Sequence, residues 1–141
     1  YDEELPDLAI DSLDSIPDLL PDVSALFLSV SNQIKKDYGD DVFITSWFLS
    51  KQEPGAKLGV HRDSGESMNS HLKYTAMLYL NNVSDGGPIM FPEAGFTVEP
   101  EAGTLVIFDS KNDEHEVPYI NGDRYSVPMW FTTDKNREFV V

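Results

Sequence analysis

Hydrophobic positions change their period once along this chain, at Gly39. Before it, Val23, Leu26, Phe27, Val30 and Ile34 recur at three- and four-residue steps, which puts them on one stripe of a helix. Asp22 is placed to cap the start, Lys35 and Lys36 suit the negative C-terminal end, and Gly39 follows as a stop. Further upstream, Leu8, Ile10, Leu13, Ile16 and Leu19 are only loosely periodic and are broken by Pro6, Pro17 and Pro21. That pattern predicts one or two short helices lying on a domain surface. After Gly39, short runs rich in β-branched and aromatic residues predict strands over 42–50, 58–61, 72–81, 87–91, 95–98, 103–109, 115–120 and 124–132. Turn clusters separate them: Glu53-Pro-Gly, Asp85-Gly-Gly-Pro, Pro92-Glu-Ala-Gly, Pro100-Glu-Ala-Gly and Asn121-Gly-Asp. Closely spaced strands with no helix between them imply a mostly β domain, an antiparallel barrel or two-sheet fold with N-terminal flanking helices.

Length and composition narrow the classes. A chain of 141 residues with 40% hydrophobic and 11% aromatic residues is one domain with a real core. We read 1–141 as a single domain, with a helical flank over 1–39 and a β core over 42–134. No apolar run is long enough to span a membrane, and no basic–apolar–small pattern opens the chain, so a cytoplasmic location is expected. With no cysteine, disulfide scaffolds, thiolate zinc sites and a cysteine nucleophile are excluded, and any metal must be bound through nitrogen and oxygen. The net charge of −15 argues against nucleic acid as a partner and suits a basic peptide or protein, although solubility alone also accounts for it.

The chemistry concentrates on few residues. There are three histidines. In His61-Arg62-Asp63, at the end of a predicted strand, a period of two turns His61 and Asp63 to one side, so both can grip one ion. His115 begins another predicted strand. Two imidazoles and a carboxylate on one face of an octahedron leave open positions, the arrangement used for Fe(II) oxygen chemistry; zinc accepts the same donors but is usually tetrahedral. The remaining histidine, His71, reads as a loop residue in a polar stretch whose Gly65, Ser67 and Asn69 would allow a lid. On the last strand Arg124, Ser126, Pro128 and Trp130 share one face, and Thr75, Met77 and Tyr79 share one face of another. An arginine turned inward beside Trp130 calls for an anion, and its planar fork suits a carboxylate.

These residues carry a family likeness. The order His61-x-Asp63, Tyr74-Thr-Ala-Met-Leu-Tyr-Leu-Asn-Asn, Gly86-Gly-Pro-Ile-Met-Phe-Pro, Gly103-Thr-Leu-Val-Ile-Phe-Asp and His115-x₈-Arg124-x-Ser126 resembles the 2-oxoglutarate- and Fe(II)-dependent dioxygenases, and within them the prolyl 4-hydroxylase-like branch. The resemblance implies a double-stranded β-helix, or jelly roll. It implies Fe(II) on His61, Asp63 and His115, and 2-oxoglutarate held at its distal carboxylate by Arg124 and Tyr79. Thr75, Met77, Ser126 and Trp130 would line the cosubstrate pocket. O₂ would be the oxidant and ascorbate an accessory reductant. The implied activity is hydroxylation of a prolyl residue in a peptide or protein, and the retained Asp63 disfavours a halogenase. The chain departs from the family where Lys51, Gln52 and Leu58 stand on the approach to the first ligand, in place of tyrosines. Three alternatives stay open: a small-molecule substrate, a non-catalytic metal-binding barrel module, and a cupin-like metalloprotein, though no His-x-His pair supports the last.

Overall fold

The helical stripe needs an apolar surface to close on, and the larger of two sheets supplies it. The computed structural model describes residues 20–65, 69–83 and 86–139, with side chains from residue 23 onward. The short helices expected before Leu20 fall outside the described residues. Helix α1 spans Leu20–Tyr38 and begins two residues before the expected cap, so Asp22 lies in its first turn. Pro21 occupies that first turn, where a missing N–H removes no helical bond. Phe27, Val30 and Ile34 are buried against Ile44, Tyr74, Ala76, Val127, Met129 and Phe131. A fully buried isoleucine such as Ile34 contributes roughly 2–3 kcal/mol. Gly39 ends the helix at φ +83°, a left-handed conformation that glycine adopts without penalty, and donates its N–H to the Lys35 carbonyl at 2.8 Å.

Among the described residues nine antiparallel strands follow: β1 (Phe43–Trp47), β2 (Ser50–Gln52), β3 (Leu58–His61), β4 (Tyr74–Tyr79), β5 (Ile89–Phe91), β6 (Phe96–Val98), β7 (Leu105–Asp109), β8 (His115–Val117) and β9 (Arg124–Thr132). They form a larger sheet in the order β1-β9-β4-β7, with β2 also on β9, and a smaller one in the order β3-β8-β5-β6. One face of the larger sheet meets α1. Its other face contributes Met77, Tyr79, Val106 and Phe108 to a second core, closed by Ile89, Phe91, Val117 and Ile120 of the smaller sheet side. This is the jelly roll with a helical flank that the sequence predicts.

The strand predicted over 42–50 is two strands, and Pro128 explains the division. β9 is flanked on one side by β4 and on the other by β1 and β2. On that second side Ser126 pairs with Ser50 and Met129 with Trp47, so the break stands opposite Pro128. Proline has no N–H to donate, and the ladder retains only the Phe48 N–H on the Pro128 carbonyl at 3.3 Å. A register shift between Ile44 and Ser46 then sets Ser46 opposite Trp130. Two other strands are shorter than predicted because Pro88 and Pro118 interrupt their ladders; Ile120 rejoins only through a single bridge to Gly86.

Candidate active site

β3 and β8 are neighbours in the smaller sheet, and their register sets His61 directly opposite His115, with ring centroids 4.3 Å apart. Asp63 is the second residue after β3. Its Oδ1 stands 3.4 Å from Nε2 of His61 and 3.4 Å from Nε2 of His115. One donor atom from each of the three lies within 4.8 Å of the others. Donors at right angles around an ion bound at about 2.1 Å are ~3 Å apart, so this spacing fits a small divalent cation.

The surrounding hydrogen bonds aim each donor. His61 Nδ1 lies 2.7 Å from the Gly59 carbonyl and His115 Nδ1 lies 3.0 Å from that of Asp113. A carbonyl only accepts, so in the neutral ring each Nδ1 carries the hydrogen, and each Nε2, turned toward Asp63, is the atom that a metal or a further proton would take. The buried Nε2 of His115 has no hydrogen-bond partner, the condition of an atom meant for a metal. Asp63 divides its two oxygens: Oδ2 accepts from Thr75 Oγ1 at 2.7 Å and from Trp130 Nε1 at 3.1 Å, while Oδ1 faces the imidazoles. Burial pushes the Asp63 carboxyl up, but the imidazoles of His115 and His61 beside it and the hydrogen bond from Thr75 outweigh that and hold it well below the usual carboxylate range. Hydrogen bonding to Asp63 raises the His61 imidazole against the opposing effect of burial. Phe108 and Phe91 flank His115 at 4.6 and 6.0 Å, so the inner side of the trio is apolar.

Arg124 opens β9 and is 1% exposed. Its Nη1 donates to Gln52 Oε1; its Nη2 donates to the Tyr79 hydroxyl at 3.2 Å and lies 3.8 Å from Met77 Sδ. The guanidinium also stands 5.0 Å from the Tyr79 ring centroid. All these partners are neutral, and the buried Nε has no partner at all. A buried cation with neutral neighbours is a strong attractor for an anion. Burial raises the Tyr79 phenol against the pull of Arg124, so Tyr79 remains a hydrogen-bond donor at neutral pH. Gly87, at φ +76°, lies so close that a Cβ there would meet Arg124 Cδ at 3.2 Å.

One cavity lies at the trio and another at Arg124, and Leu58 is in the wall of both. The larger, about 490 Å³, is lined by His61, Asp63, Phe48, Leu72, Trp130 and His71. Phe48 and Trp130 pack with centroids 5.3 Å apart, giving it an aromatic wall. The smaller, about 10 Å³, lies between Gln52, Met77, Arg124 and Ser126.

Of the residues singled out in the sequence, His61, Asp63 and His115 come together, and Arg124, Tyr79, Met77 and Ser126 form a second group. Thr75 and Trp130, expected along the cosubstrate pocket, direct their polar atoms to Asp63. His71, read as a loop residue, is in the wall of the large cavity; of the proposed lid, Ser67 lies outside the described residues, and Asn69 lines the same cavity at φ +55°. The sequence reading gave no role to Gln52 or Gly87. The polar residue ending an inward-facing strand position was the signal for the first; the second gives none, since a glycine pair before proline reads only as a turn.

Residues 46–132 match the family model described as the 2OG-Fe(II) oxygenase superfamily. Among proteins of known identity, mouse prolyl 3-hydroxylase 2 is 34% identical over 68 residues, which cover 43% of this chain and 10% of that protein. Among solved structures, a Pseudomonas putida prolyl-4-hydroxylase is 31% identical at a TM-score of 0.58, covering 70% of this chain and 57% of that one. A viral collagen prolyl hydroxylase from Paramecium Bursaria Chlorella virus-1, solved with 2OG, shares the fold at a TM-score of 0.63 and 19% identity, covering 80% and 72% of the two chains. This chain thus spans little more than half of the bacterial enzyme and a tenth of the mouse protein.

Proposed function

Since the chain belongs to the 2OG-Fe(II) oxygenase superfamily, we propose that it is a 2-oxoglutarate- and O₂-dependent hydroxylase acting on a prolyl residue of a peptide or protein. The observation that carries this reading is the pairing of a three-donor cluster with a buried arginine that has only neutral hydrogen-bond partners, with Leu58 lining the cavity beside each. His61, Asp63 and His115 would hold Fe(II), leaving the side toward the large cavity open. Arg124 and Tyr79 would take the far carboxylate of 2-oxoglutarate, with Met77 and Ser126 beside it. When bound, iron and 2-oxoglutarate supply the oxidation: O₂ gives one oxygen atom to a substrate C–H and the other to the cosubstrate, which leaves as succinate and CO₂.

The chain's own part is placement. Thr75 and Trp130 hold Asp63 so that one oxygen faces the metal position. Phe48, Leu58, Leu72 and Trp130 give the large cavity an apolar wall suited to a saturated ring, while Ser46 and His71 offer hydrogen bonds to a peptide backbone. The proline-directed part of the reading draws on the similarity to the bacterial and mouse prolyl hydroxylases. The net charge of −15 favours a basic peptide over a neutral one. An accessory reductant such as ascorbate belongs to the same proposal, as does the division into a helical flank over 1–39 and a jelly-roll core over 42–134.

Anaerobic titration with Fe(II) and then 2-oxoglutarate tests the cosubstrate assignment through the visible metal-to-ligand charge-transfer band. The band should form in the wild type and be lost in Arg124→Ala. A proline-containing basic peptide should then stimulate succinate release. Asp63→Ala with turnover intact would show that the trio is not the metal site.

A further inference from the structure

Gln52 and Arg124 are direct partners across the β2–β9 ladder, so both side chains leave their strands on the same face. Both are buried, and the Gln52 carbonyl oxygen accepts from Arg124 Nη1. A bidentate grip on a carboxylate needs two guanidinium donors side by side. Here Nη1 gives one of its hydrogens to Gln52 and Nη2 one to Tyr79, while Nε has no hydrogen-bond partner. The space beside Arg124 is also small: about 10 Å³, room for about one water molecule and not for a molecule of several carbons. With so little space, a carboxylate that comes to the fork of Arg124 meets the Gln52 carboxamide on Nη1 and must displace it.

We propose that Gln52 competes with the cosubstrate for Arg124 and thereby sets how tightly this chain takes 2-oxoglutarate. The inference rests on the reading of Arg124 as the cosubstrate anchor. The chemistry of the amide suits this task. A neutral carbonyl satisfies a buried guanidinium well enough to keep it in place, and it yields to a charged carboxylate, whose bonds to the same donors are roughly twice as strong. A carboxylate built into the chain at position 52 would not yield. An alanine there would offer no competition and would open volume next to the guanidinium.

The test is 2-oxoglutarate binding to Mn(II)-loaded protein under anaerobic conditions, read by calorimetry and by the thermal shift that the ligand produces. Metal affinity is measured separately. Gln52→Glu should weaken 2-oxoglutarate binding by about 100-fold or more, since it sets a buried ion pair on Arg124 that the ligand must break, with Mn(II) affinity unchanged. Gln52→Ala should tighten binding by about tenfold, the worth of one charge-assisted hydrogen bond no longer given up. Should Gln52→Ala fail to fold, Gln52→Asn, one methylene shorter, should tighten binding in the same direction. A wild-type protein that takes up Mn(II) but no 2-oxoglutarate overturns the anchor reading of Arg124 and this inference with it. A wild type that binds, together with an Ala or Asn variant that binds more weakly or a Glu variant that binds equally well, overturns the competition alone.

Discussion

Thr75→Val separates two roles that the position of Thr75 on β4 leaves open, because it exchanges a hydroxyl for a methyl at nearly constant volume. Thr75 is fully buried, and its hydroxyl donates to Asp63 Oδ2 at 2.7 Å and contacts Ser110 Oγ at 2.8 Å. The substitution removes a hydrogen bond on Oδ2 and leaves that from Trp130. A hydrogen bond to a charged group contributes about 1.5–3 kcal/mol, and loss of a partner behind a metal ligand typically weakens metal binding about 10–100-fold. With Trp130 still in place, the lower part of that range applies, roughly 10–30-fold. Stability should also fall, by about 1–3 kcal/mol, because Ser110 Oγ is left buried with a methyl group for a neighbour. The assay is Mn(II) affinity by electron paramagnetic resonance, with 2-oxoglutarate affinity measured at saturating metal. The expected result is a metal defect with cosubstrate affinity unchanged. A variant with metal affinity within about twofold of wild type but weakened 2-oxoglutarate binding would refute the reasoning and return Thr75 to the cosubstrate pocket.

Gly87→Ala should damage the anchor without touching a polar group. The new Cβ meets Arg124 Cδ at 3.2 Å and must adopt φ +76°, so we expect a loss of about 1–3 kcal/mol in stability and a clear fall in 2-oxoglutarate affinity at full metal loading; unchanged affinity would show that Arg124 has room to shift. The metal-free protein should lose thermal stability as pH rises from 6 to 8.5. The raised imidazole of His61 contributes fully below its unfolded value of about 6.5 and loses that contribution as pH rises through its folded value. The depressed carboxyl of Asp63 contributes above about 3.9 and loses its contribution only as pH falls through its low folded value, so it does not mask this trend. With saturating Mn(II) the trend should reverse, because protons then compete with the ion for His61. Differential scanning fluorimetry at two pH values, with and without metal, decides it.

The sequence made the succession of strands and the His61–Asp63 pair legible for one physical reason: a period of two assigns a face to every residue of a strand. His61 and Asp63 could be paired, and Arg124 could be turned inward with Ser126 and Trp130, from alternation alone. Distances between strands are another matter. That His61 faces His115 depends on the β3–β8 register, which local pattern does not encode. The same holds for Gln52 opposite Arg124 and for Thr75 and Trp130 converging on Asp63, contacts that join β2, β4 and β9. The division of the first strand was available in principle, since Pro128 interrupts the pattern of β9. It shows only once one knows which strand Pro128 faces.

Pro128 has a consequence beyond that break. On β9, Arg124 and Ser126 lie on one side of it and Trp130 on the other. Over the first two, the neighbouring strand is β2, which brings Ser50 and Gln52 to the small cavity. Over Trp130 it is β1, which brings Ser46, followed by Phe48, to the large one. One strand thus carries the anion anchor and the support of a metal ligand, while the change of neighbour at the proline gives each cavity its own wall. Asp63 belongs to the chain leaving the smaller sheet, yet its supports, Thr75 and Trp130, stand on the larger. The metal position therefore draws its hydrogen bonds from both sheets, whereas those joining Arg124 to Gln52 and Tyr79 run between strands of the larger sheet. Substitutions that loosen the core between the sheets, at Phe91 or Val117 for example, should weaken metal binding before they weaken the grip on the carboxylate.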